Sequence, residues 1–309
     1  MNHQHTQALK GKELLAQLGS TTDLGTFEDC NLDGCRLKAL PESIGRLTHL
    51  KTLSLYDNDL TVLPESVWQL LNLVTLNLAG NHFSSIPEAI GKLTGLHMLD
   101  LGHNELTSLP ESLRDLRSLE FLYVSNNRLT DLPQSFQFLK SLVYLNVTHN
   151  QLTSLPEWID ELDRLTELRL YNNSLTHLPG SLGRLTHLRE LHLMNNRLTT
   201  LPDTIGALSG LRKLSLQSNE VTSLPESIGN LTQLTDLDLR DNKLTSLPDT
   251  LASLRSLRFL DLRANQLTSL PSNLATMSSI EKLDLRWNKL CAYPVWLQQL
   301  EQRGCVVYV

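Results

Sequence analysis

Histidine, cysteine and carboxylate side chains are the groups that could hold a metal or carry acid–base and nucleophilic chemistry. The chain of 309 residues has ten histidines and four cysteines, Cys30, Cys35, Cys291 and Cys305. None stands in a pattern that such chemistry requires. There is no HExxH pair, no CxxC, no GxSxG turn and no glycine-rich phosphate loop. His97, His103 and His149 come nearest to a ligand set, and three imidazoles without a carboxylate shell make a poor zinc site. The expectation is a protein without catalytic residues, cofactor or metal, and so not an enzyme.

The bulk numbers narrow the choice further. A net charge of −6, with no basic patch interleaved with aromatics, argues against nucleic-acid binding. No run of 18 apolar residues exists, so no segment reads as a membrane span. The start MNHQHTQALKGKELLAQLGS lacks the charged, apolar and small-residue pattern of a secretory signal. Together with the few cysteines, this gives the expectation of reduced thiols, a cytoplasmic location and a monomer.

What the chain does have is a beat. All twelve prolines, from Pro41 and Pro64 to Pro294, are spaced 23 residues apart, and Asn58, Asn81, Asn104 and their successors to Asn288 keep the same spacing. A fixed period of this length means one small unit stacked into a solenoid. In residues 96–118, Leu99 and Leu101 alternate with Met98 and Asp100 as in a short strand, the chain turns near Asn104, and Pro110 opens an apolar i, i+3 return of about one helical turn. Ser108 and Glu111 have capping-box spacing. Each asparagine amide, turned inward, can serve the buried backbone of its turn, so these residues read as structural.

The pattern LxxLxxLxLxxNxLxxLPxxI resembles that of leucine-rich repeat proteins of the 23-residue class, as in the intracellular Ras-suppressor, Scribble-like and plant Ras-group-related proteins and their bacterial relatives. It covers 27–302 in twelve repeats, the first at Phe27 and the last at Ile280. The resemblance implies an α/β solenoid. It would be a right-handed horseshoe with a parallel concave β-sheet and short helical or 3-10 turns on the convex side. Residues 1–26 read as a helical cap, with an amphipathic helix over 8–18, and 303–309 as a closing strand. Cys30 and Cys35 depart from the repeat pattern and are expected in the core.

Such a fold uses its concave face for binding. In repeats four to eight the strand positions on that face collect His97, Met98, His103, Phe121, Tyr123, Tyr144, Asn146, His149, Arg169, Tyr171, His192 and Met194, types enriched at binding hot spots. Met98, Phe121 and Tyr144 share one slot in successive strands and should touch. In the last three repeats Leu-Asp-Leu-Arg recurs, setting Asp238, Asp261 and Asp284 beside Arg240, Arg263 and Arg286. These columns read as an ionic ladder that satisfies itself, or as an electrostatic docking strip.

The expected function is protein–protein interaction on the concave face, in intracellular signalling. The resemblance implies a small GTPase, a kinase or another signalling protein as partner, with no nucleic acid and no membrane. The alternatives are a recognition subunit of a kinase or ubiquitin-ligase enzyme encoded elsewhere, and a bacterial effector delivered into host cells.

Overall fold

The computed structural model describes residues 9–10 and 27–309. Packing divides the chain into two compact units, Met1–Asn150 and Gln151–Val309. In the first, three-residue strands recur at the repeat period: Asp29–Asn31, Thr52–Ser54, Thr75–Asn77, Met98–Asp100, Phe121–Tyr123 and Tyr144–Asn146. They pair in parallel, each central residue beside its equivalent one repeat on, as in Leu76↔Leu99 and Leu99↔Leu122. The second unit repeats this from Glu167–Arg169 and Glu190–His192 to Lys282–Asp284 and Val306–Tyr308.

Strands stay short because the chain must turn after each. The residue before each asparagine adopts left-handed φ, as at His103 (52°), Asn126 (53°) and Asp241 (54°). The asparagine then ties the turn down. Asn104 donates through Nδ2 to the carbonyls of Leu101 (3.1 Å), Gly102 (3.0 Å) and Leu78 of the preceding coil (3.0 Å), while its Oδ1 accepts from the Phe83 N–H (3.0 Å). Asn242 does the same in the second unit, with Leu216, Leu239, Arg240 and Val221. Each amide thus satisfies two coils at once, which is how a turn can be buried at all.

The return leg is a five-residue 3-10 helix after each proline from Pro41 to Pro271, as in Glu111–Asp115 and Glu226–Asn230. The capping box expected at Ser108 and Glu111 does not form. Pro110 itself holds the cap position in extended conformation, and the helix closes on the proline carbonyl, with Leu113 N–H donating at 3.3 Å. The glutamate after proline serves the next coil instead. Glu88 accepts from the N–H groups of Ser112 (2.8 Å) and Glu111 (3.3 Å), and these bonds hold its carboxyl below the usual carboxylate range. Returns stack closely enough that a methyl group at Gly91 would lie 2.7 Å from Ser112 Cβ.

Leucines at the strand centres and turns are fully buried along both units. The helix read over 8–18 lies outside the described residues except at Leu9–Lys10. That pair forms a strand, with Leu9 beside Cys30, because the first repeat leaves a sheet edge open to pairing. At the other end a seven-residue α-helix, Trp296–Gln302, replaces the 3-10 return and leads into Val306–Tyr308.

Candidate functional site

Side chains flanking each buried central leucine stand on the opposite side of the strand; Phe121 there is exposed and Met98 and Tyr144 half-buried, whereas His192, Ser215 and Asp284 are buried. In the first unit, Met98, Phe121 and Tyr144 lie in one register column, and Asp100, Tyr123 and Asn146 in the next. Phe121 and Tyr144 approach to 6.5 Å between ring centroids, and Tyr123 and Tyr144 to 4.9 Å, tilted by 38°. Such tilted pairs bury ring against ring while leaving other surface open. Phe121 is 37% exposed, and Met98, Tyr123, Tyr144 and Asn146 are half-buried. Asn146 Oδ1 accepts from Thr148 N–H (3.1 Å), and Asp100 accepts likewise from Gly102 (2.9 Å), with burial pushing its carboxyl up.

His97, His103 and His149 are exposed. His97 Nδ1 is 3.0 Å from the Gly95 carbonyl, and His103 Nε2 is 3.2 Å from the Asn126 amide. His149 lies at its own left-handed turn position. Among the described residues, the side chains that do converge with metal-ligand spacing are others: Glu167, Glu190 and His192, in the second unit.

There, Tyr171 and Met194 are half-buried, and Arg169 is bonded to Glu167. His192 departs from the expectation of an open contact residue. It is 7% exposed, enclosed with Nε2 3.0 Å from Glu190 and 3.9 Å from Glu167, and burial draws its imidazole below the ordinary value. The two glutamates were passed over in the sequence, although they occupy the same slot as Met98, Phe121 and Tyr144. Reading that column onward would have found them.

The Asp/Arg columns satisfy themselves. Arg240 reaches Asp238 at 3.2 Å, Arg263 reaches Asp261 at 2.6 Å and Asp284 at 3.3 Å, and Arg286 reaches Asp284 at 2.7 Å. Asp284 is fully buried; burial pushes its carboxyl up, but Arg286 and Arg263 outweigh that and hold it below the usual range. Asp238 goes the other way, raised chiefly by burial. Beside the ladder is a hollow of about 300 Å³ whose lining includes Lys213, Phe259 and Lys282.

The cysteines are all free. Burial pushes the Cys30 thiol up to about 12. Cys35 is half-exposed rather than in the core, with its Sγ 3.6 Å from the Asp33 carbonyl. No helix among the described residues is long and apolar enough to cross a membrane.

The sequence profile of a leucine-rich repeat region matches residues 16–105, 88–199 and 202–302. The chain belongs to the leucine-rich repeat family. A leucine-rich repeat protein of Leptospira interrogans is 30% identical, with a TM-score of 0.71 over 98% of this chain and 89% of that one. The plant peptide hormone receptor RGFR1, solved in complex with RGF2, is also 30% identical, with a TM-score of 0.74 over 92% of this chain. A third similar structure, PEPR1 with AtPEP1, is 26% identical with a TM-score of 0.69. The chain spans about half the length of each of these two proteins, 47% and 46% respectively. No curated protein matches it. Leucine-rich repeat solenoids are in general protein-interaction modules without catalytic machinery of their own.

Proposed function

We propose that the chain captures a protein partner on the strand face of repeats four to six, with Phe121, Tyr123 and Tyr144 as its anchor and Met98, Asn146, His97, His103 and His149 around it. Arg169, Tyr171 and Met194 of the second unit offer further contacts on their own strand face. The observation that carries this reading is the aromatic cluster. Three of the chain's twelve Phe and Tyr residues gather on one strand face, with Phe121 37% exposed and Tyr123 and Tyr144 half-buried. Rigid aromatics in such settings dominate interface energies. RGFR1 and PEPR1 were each solved with a partner, which supports a polypeptide ligand here. The partner is a signalling protein of the small-GTPase or kinase kind, met in a reducing, cytoplasmic setting. The four unpaired cysteines, Cys291 among them at the surface, support that setting.

A photo-crosslinking phenylalanine at position 121 tests the site in cells. It should trap a defined protein that the same probe at Phe138, 42% exposed on a helical return, does not trap. Equal trapping from both positions would refute the assignment.

A further inference from the structure

We propose that Glu167, Glu190 and His192 form a binding site for a first-row transition-metal dication of the zinc class. Glu167 and Glu190 are directly opposed on paired parallel strands, a placement in which like charges repel unless a cation lies between them. His192 follows Glu190 by two residues and so stands on the same side of its strand. The ligand atoms of the three all lie within 4.8 Å of one another, with the imidazole 3.0 Å from Glu190 and 3.9 Å from Glu167. Bonds of about 2.0–2.2 Å at tetrahedral angles separate ligand atoms by roughly 3.4 Å. Shifts of about an ångström by two flexible carboxylates would therefore close the set around an ion.

The donor chemistry selects the ion class. An imidazole nitrogen beside two carboxylates favours zinc and its neighbours over calcium or magnesium, which take oxygen shells. The strands are rigidly placed, with Leu168 and Leu191 between them fully buried. Glu190 keeps 41% of its side chain exposed, so remaining coordination positions reach solvent. Arg169 now neutralises Glu167 and is the group an ion would displace or push to the outer carboxylate oxygen. None of this depends on the partner-binding reading.

Isothermal titration of the full chain with zinc chloride tests the site, with cobalt(II) absorption as a second reading. One ion should bind with a Kd that rises at least about tenfold in Glu190→Gln and in His192→Gln, and the tetrahedral cobalt band should weaken in both. Glu190→Gln alters a part-exposed side chain, so it remains informative if His192→Gln fails to fold. His3 and His5 are present in every variant and contribute equally. Unchanged zinc affinity in the folded Glu190→Gln protein, or no bound ion in the wild type, would overturn the assignment.

Discussion

Repeats four to six and repeats ten to twelve are built on the same leucine frame and present opposite surfaces. In the former, the rings of Phe121, Tyr123 and Tyr144 meet at tilted angles, and Phe121 is 37% exposed. In the latter, every Asp of the Leu-Asp-Leu-Arg columns is taken by an Arg, down to a fully buried Asp284. The contrast separates two kinds of recurring residue that look equally conspicuous in the sequence. Charges arranged in complementary columns consume one another, whereas aromatics stacked in a column cannot consume their own flat faces. The proposed partner site rests on the second kind.

The shared frame is where the largest effects belong. Leu122→Ala and Leu260→Ala should each lower stability by about 2–5 kcal/mol, read as urea midpoints, and by similar amounts because both leucines are buried strand centres. A loss confined to one region would break the premise of a common scaffold. Asn127→Ala and Asn242→Ala come next, at about 1–3 kcal/mol each, since each leaves a buried backbone N–H of the preceding coil, that of Leu106 or Val221, without its acceptor. The aromatic surface should be cheaper to lose. Tyr144→Ala removes two ring contacts and should cost roughly 0.5–1.5 kcal/mol beyond its buried area, leaving the thermal transition cooperative.

The ionic surface sharpens the comparison through pH. The Asp284 carboxyl is held below its unfolded value, so it stabilises at neutral pH and that contribution disappears as pH falls through its folded value. The Asp238 carboxyl is raised, so ionising it opposes folding as pH rises through the carboxylate range. Thermal melts of Asp284→Asn should therefore show a flatter loss of stability in acid than the wild type, and melts of Asp238→Asn should show the smaller and opposite trend. Matching pH profiles for the two variants would contradict the ladder geometry.

Much of this was legible in the residues. The 23-residue spacing of proline and asparagine determines a stacked coil, and the columns of side chains follow by counting. What could not be counted was where side chains reach between coils. The box spacing of Ser108 and Glu111 is real, yet proline takes the cap and the glutamate bonds forward. Cys35, in the slot that asparagine fills elsewhere, is half-exposed, with its Sγ against the Asp33 carbonyl. The Met98–Phe121–Tyr144 column is present, but the closest ring pair is the diagonal Tyr123–Tyr144, set by rotamers rather than register. His192 reads as a surface histidine until Glu167 and Glu190 are seen to enclose it.

Quantitative affinity purification with three forms of the full chain tests the central claim most directly: wild type, Tyr123→Ala/Tyr144→Ala, and Arg263→Gln, each shown to melt as a folded protein. The aromatic variant is predicted to lose the proteins that wild type retains, while Arg263→Gln keeps them. Retention by the aromatic variant together with loss in Arg263→Gln would move the binding surface to the ionic ladder and contradict the account.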